Sequence, residues 1–119
     1  MLTLVFSYGD LRRPEIQLAI VGRRLRGWAD ELLGCEIVEI PIEDPEVAAA
    51  TGKTHHRDLK FDGSDTKGVE GMVFEVTREE LERIDAFEAR FDYGRITGQL
   101  ASGDQVWVYV HRSSIQTWS

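Results

Sequence analysis

At 119 residues the chain has room for one ordinary domain, expected over residues 1–119. With tyrosines set aside and glycines added, about half the residues are apolar, which excludes disorder and collagen-like repeats. Fourteen Lys and Arg against 21 Asp and Glu give a formal charge of −7, which repels polyanions, so no nucleic-acid partner is expected.

The single Cys35 cannot form an intramolecular disulfide or a multi-thiolate zinc site, so no thiolate metal site is expected and the chain reads as intracellular. Residues 1–6 are apolar but lack a preceding basic residue, and Ser7-Tyr8-Gly9-Asp10 ends them well short of a signal-peptide core. No run approaches the ~20 apolar residues of a membrane span. The expectation is a cytoplasmic protein with no membrane partner.

Residues 2–8, partly β-branched and aromatic and closed by Gly9-Asp10, predict a buried strand ending in a turn. Pro14 suits the first turn of a short helix, where its missing N–H is not needed. Ile16, Ala19 and Ile20 share one face of that helix, and Gly22 ends it. Over residues 23–40, an irregular strand-like pattern interrupted by Gly27 and Gly34 predicts two strands with a bend or bulge.

Residues 41–67 hold two prolines, many charges and little periodicity apart from one candidate helical turn at 45–50. They read as the longest irregular stretch, either a lid or variable insertion or a solubilising loop. Residues 69–76 alternate, predicting a strand with one apolar face. Thr77 and Glu80 have capping-box spacing, so a helix is predicted from about residue 78 to about 90. At ~100° per residue, Leu81, Ile84, Phe87 and Glu88 fall on one side, with Glu79, Glu82, Arg83 and Arg90 opposite. Residues 93–100, the Ser102-Gly103-Asp104 turn and residues 106–111 predict a hairpin.

A carboxylate on the buried face of a helix must be neutralised, paired or open to a polar cavity. Glu88 is therefore the leading functional candidate, with an ion pair to Arg95 as the structural alternative. Asp85, at the edge of the stripe, reads as structural. The loop Tyr8-Gly9-Asp10-Leu11 presents backbone N–H groups beside a glycine, a geometry suited to an anion or a carbonyl oxygen, though such pairs also occur in plain turns. His55 and His56 are adjacent in a polar segment and read as surface histidines. Arg12, Arg13, Arg23, Arg24 and Arg26 form a basic stretch that reads as a solvated face. Ser7, Ser102 and Cys35 lack a nucleophile's sequence context.

Four segments in series, Leu4-Val5-Phe6-Ser7-Tyr8-Gly9-Asp10-Leu11, Val69-Glu70-Gly71-Met72-Val73-Phe74-Glu75-Val76, Ile84-Asp85-Ala86-Phe87-Glu88-Ala89 and Tyr93-Gly94-Arg95, resemble the γ-glutamyl cyclotransferase-like family, closest to its small γ-glutamylamine cyclotransferase branch. The resemblance implies an α+β fold, with a mostly antiparallel, barrel-like sheet, a few flanking helices and a cavity. It implies that Tyr8, Gly9, Asp10 and Leu11 cradle a small-molecule γ-glutamyl substrate and that Glu88 is the catalytic acid/base. The implied reaction is cofactor-independent: the substrate's α-amine closes on its own γ-amide carbonyl, releasing 5-oxoproline and an amine. Asp10 stands where the family carries a small Ser or Thr, an extra carboxylate facing the substrate's own. A noncatalytic small-molecule-binding or interaction domain of the same fold is the alternative.

Overall fold

The computed structural model describes residues 2–61 and 67–112. In chain order it contains β1 (Thr3–Ser7), a 3-10 turn (Asp10–Arg12), α1 (Pro14–Val21), β2 (Gly27–Leu33) and β3 (Cys35–Pro41). Then come α2 (Pro45–Thr51), β4 (His55–Phe61), β5 (Gly68–Val76), α3 (Arg78–Ala89), β6 (Tyr93–Gln99) and β7 (Gln105–His111). Five strands form one sheet in the order β2-β5-β1-β7-β6, and β3 pairs with β4 in a separate two-stranded ribbon. β1 and β7 run parallel, whereas every other pairing is antiparallel.

The α+β architecture agrees with the expectation, and the sheet is barrel-like without being closed. Its two edge strands approach each other at one isolated bridge, Leu32 to Leu100. Gly98 permits that approach, because a Cβ there would lie 2.7 Å from Leu32 Cδ1.

Alternation along β1 sends neighbouring side chains to opposite faces. Val5 joins Leu11, Val21, Phe74, Leu81 and Ile84 beneath α1 and α3. Phe6 joins Tyr8, Leu32, Cys35, Leu59 and Val108 on the ribbon side. The sheet is thus covered on both faces, and β5 follows suit, with Val69 and Val73 in one cluster and Phe74 and Val76 in the other. This corrects the expectation of a single apolar face for residues 69–76. Full burial of each such side chain contributes roughly 1.5–3 kcal/mol.

α3 starts as its capping box predicts, with both reciprocal hydrogen bonds between Thr77 and Glu80 in place. Glu80 is itself buried, and its carboxylate accepts from Arg23 Nε at 2.6 Å and Nη2 at 2.8 Å. Arg23 remains exposed yet ties the loop after α1 to the start of α3. α1 ends on Gly22 in the left-handed conformation, as predicted. Its buried residues, however, are Gln17 and Val21, whereas Ala19 is exposed. Gln17 bridges the site loop to the following strand region, donating to the Leu11 carbonyl at 2.8 Å and accepting from the Leu25 N–H at 2.8 Å.

The bend expected near Gly27 and Gly34 falls at Gly34, whose φ of 73° turns the chain out of the main sheet and into the ribbon. Residues 41–67 are not one irregular stretch: α2 is longer than one turn, and residues 55–61 form β4, in full antiparallel register with β3. Residues 62–66 of that stretch lie outside the described residues. The polar sequence of β4 concealed it, because its buried positions are the adjacent Asp58 and Leu59 rather than an alternating apolar set. The predicted hairpin is present, with β6 and β7 paired from Tyr93–His111 to Gln99–Gln105. No helix among the described residues is long and apolar enough to cross a membrane.

Candidate active site

β1 delivers the loop at residues 8–11. Tyr8 is buried and its hydroxyl donates to the Tyr109 carbonyl on β7 at 2.7 Å, anchoring the loop to the parallel neighbour of β1. Gly71 on β5 clears the approach, because a Cβ there would collide with the Ser7 carbonyl and the Phe6 ring. Leu11 is buried under the helices and pins the far end of the loop.

Between these anchors the backbone is exposed. The Gly9 N–H donates to Ser7 Oγ at 3.3 Å, and no atom lies within 4 Å of where a Gly9 Cβ would stand. Among the described residues, the N–H groups of Asp10 and Leu11 meet no hydrogen-bond acceptor. Two carbonyls of the loop are held by guanidinium groups: Arg57 Nη1 donates to Tyr8 O at 3.2 Å and Arg12 Nε to Gly9 O at 3.0 Å.

Glu88 enters from the last turn of α3 and is partly buried, in keeping with its place beside Leu81 and Ile84 on the helical wheel. Among the described residues its carboxylate makes no hydrogen bond and no ion pair. Burial, reinforced by the negative charge of Asp10, pushes its pKa from an ordinary 4.5 up to about 7. The Glu88 charge reaches Tyr8, Tyr93 and Tyr109: burial first, and that charge among later causes, raises the pKa of all three phenols.

The Arg95 alternative is resolved against Glu88. Arg95 Nε lies 3.2 Å from Asp85 Oδ1, and its guanidinium stacks 4.2 Å from the Trp107 ring centroid. Asp85 also accepts from the Tyr109 hydroxyl at 2.5 Å. Asp85 is therefore the structural carboxylate of the pair.

Asp10 is half-exposed and lies beside cations, 3.7 Å from Lys53 Nζ and 4.0 Å from Arg13 Nη1. It does not act as an isolated negative charge.

β4 supplies the residues that sequence reasoning missed. Asp58 is fully buried and accepts from the N–H groups of Leu59 at 2.8 Å and His111 at 3.0 Å, joining the ribbon to β7. Tyr93, at the start of β6, donates to the Arg57 carbonyl. The charged pair Arg57-Asp58 was the available signal, but it becomes readable only once residues 55–61 are set opposite residues 35–41.

The adjacent histidines sit on this strand and diverge: His55 is exposed, while His56 packs against Tyr93 and His111 with ring centroids 5.5 Å away in each case. Burial, then the neighbouring His111, lowers the His56 pKa. His56, His111 and Asp92 line a hollow of about 410 Å³ with Ile40 and Val47, and neither Glu88 nor residues 8–11 border it. No cluster of metal-ligating side chains occurs among the described residues.

A sequence search of curated proteins finds no match. Solution structures of two proteins from Arabidopsis thaliana, each 22% identical, share the fold with TM-scores of 0.70 and 0.69. They cover 96% and 95% of this chain and 64% and 70% of their own, so the chain spans 64% of the first plant protein's length. A structure of a gamma-glutamyl cyclotransferase, 14% identical, matches over 93% of this chain and 67% of that one with a TM-score of 0.62. At such identities the likeness is one of fold. Sequence carries the assignment further: residues 5–118 match the description "Gamma-glutamyl cyclotransferase, AIG2-like", a span that takes in the Tyr8 loop, α3 and the terminal hairpin, and the chain belongs to that family.

Proposed function

We propose that the protein is a γ-glutamyl cyclotransferase that releases 5-oxoproline and an amine from a small γ-glutamyl compound, with Glu88 as general acid/base. The observation that carries this reading is a partly buried carboxylate without a counter-ion among the described residues, its pKa raised to about 7, beside an exposed backbone loop. A group with a pKa near the working pH can both accept and return a proton.

In the proposed cycle, ionised Glu88 takes a proton from the substrate's α-ammonium group. The freed amine forms a C–N bond to the γ-carbonyl carbon, and the carbonyl electron pair moves onto oxygen. The N–H groups of Asp10 and Leu11 face that oxyanion. Protonated Glu88 then gives its proton to the departing nitrogen as the original C–N bond breaks. The surplus proton on the ring nitrogen passes through solvent to the released amine. Nucleophile and carbonyl belong to one molecule, so the protein's task is to hold the folded-back conformer, and the steps call on no cofactor.

The test is a screen of γ-glutamyl amines, peptides and amino acids for 5-oxoproline. Release abolished by Glu88→Gln supports the reading. Binding of γ-glutamyl compounds without release would favour a noncatalytic binding domain, and neither binding nor release would overturn both readings.

A further inference from the structure

We infer that Arg57 binds the α-carboxylate of the γ-glutamyl group and so sets the requirement for a glutamyl rather than a 4-aminobutanoyl substrate. The inference rests on the proposed cyclotransfer reaction, whose substrate carries that carboxylate next to the reacting amine.

The cations around the site are not equivalent. Arg95 is committed to Asp85 and Trp107, Lys53 to Asp10, and Arg13 to Glu15 at 2.6 Å and to Asp10. Arg57 has no ion pair among the described residues, although Glu39 stands opposite it in the ribbon register. Its one side-chain hydrogen bond, from Nη1 to the Tyr8 carbonyl, leaves the remaining guanidinium N–H groups for a ligand.

Its placement is also fixed from the reactive side. The Tyr93 hydroxyl donates to the Arg57 carbonyl, and Tyr93 lies within the electrostatic reach of both Glu88 and Asp10. The guanidinium is thus held at the start of a loop whose Gly9 face is open. Arg12, which follows the loop in the 3-10 turn, bonds back to the Gly9 carbonyl within its own turn. A planar guanidinium whose Nε–Nη2 edge makes no hydrogen bond among the described residues suits bidentate carboxylate recognition. Asp10 is tolerated near that carboxylate because Lys53, at 3.7 Å, and Arg13, at 4.0 Å, offset its charge.

The experiment reads binding of the common product, so it does not depend on knowing the leaving amine. Affinities of 5-oxoproline and of 2-pyrrolidinone, which lacks the carboxylate, are measured by calorimetry or NMR titration for wild type, Arg57→Gln, Arg57→Lys and Arg12→Gln. Arg57→Gln is expected to weaken 5-oxoproline about 10- to 100-fold, the worth of a charge-assisted contact, and to leave 2-pyrrolidinone unchanged. Arg57→Lys should fall between, and Arg12→Gln, which releases only the Gly9 carbonyl, should change the affinities of the two ligands equally.

Unchanged 5-oxoproline affinity in Arg57→Gln overturns the inference. So does an equal loss for both ligands, which would mark a structural role through the Tyr8 carbonyl, and so does a wild type that binds no 5-oxoproline. Turnover with an unaffected Arg57→Gln leaves the cyclotransferase reading standing and removes the inference alone. Arg57-dependent binding without turnover removes the enzyme reading and keeps the inference.

Discussion

Arg95 pairs with Asp85 across 3.2 Å and so leaves Glu88, one turn further along α3, without a counter-ion among the described residues. Two carboxylates on one helix thereby sit in different surroundings. Asp85, bonded also by Tyr109, fastens α3 to β6 and β7; Glu88 has no such bond among the described residues, and in the proposed cycle it exchanges a proton.

Glu88→Gln should reduce turnover by about 100- to 10,000-fold or more, the usual weight of a positioned acid/base. The same change should stabilise the fold at alkaline pH. A carboxyl whose folded pKa is raised from 4.5 to about 7 contributes its full stability below pH 4.5, and that contribution is lost as pH rises through 7. Denaturant titrations should therefore show the variant near wild type at pH 4.5 and up to roughly 3 kcal/mol more stable at pH 8. A variant less stable than wild type at pH 8 would reveal a hidden partner for Glu88.

Turnover should rise with pH through a midpoint of about 7, because the carboxylate form accepts the first proton. Asp10→Thr removes a negative charge that raises the Glu88 pKa, so the midpoint should move toward lower pH. The shift is expected to be modest, since burial is the larger cause. A pH–rate profile of both proteins checks it, and a shift toward higher pH would contradict the assignment.

Glu80→Gln should destabilise the protein in a manner that disappears in acid. The Arg23 hydrogen bonds hold the Glu80 pKa at about 2, below its ordinary 4.5, so this stabilisation is present above pH 4.5 and is lost as pH falls toward 2. Arg23 is partly solvated, and a loss of roughly 1–3 kcal/mol at pH 7 allows for that screening. Equilibrium unfolding at pH 7 and pH 3 should show the difference between the two proteins shrinking.

Asp85→Ala should cost roughly 1–3 kcal/mol, because the Tyr109 hydroxyl and Arg95 both lose their acceptor. Turnover per folded molecule should change far less than in Glu88→Gln. Comparing thermal unfolding with activity normalised to folded protein separates the two carboxylates.

Much of the frame is legible in local sequence. The Thr77–Glu80 box starts α3, Pro14 and Gly22 bracket α1, Gly34 ends β2, and alternation through residues 106–111 marks the last strand. These signals act between residues close along the chain, where hydrogen-bond geometry and glycine's freedom decide the outcome. The side of α3 on which Glu88 lies follows from helical spacing alone. What covers each face of the sheet does not. β4 has no apolar alternation and exists as a strand because β3 offers it a complete ladder and Asp58 finds the N–H groups of Leu59 and His111. Arg57, Asp58 and Tyr93 come together only through that pairing, across separations of 35 residues or more between β4 and β6. The choice of Asp85 over Glu88 by Arg95 is of the same kind: sequence spacing placed both carboxylates near one face, and the landing of β6 against α3 determined which received the cation.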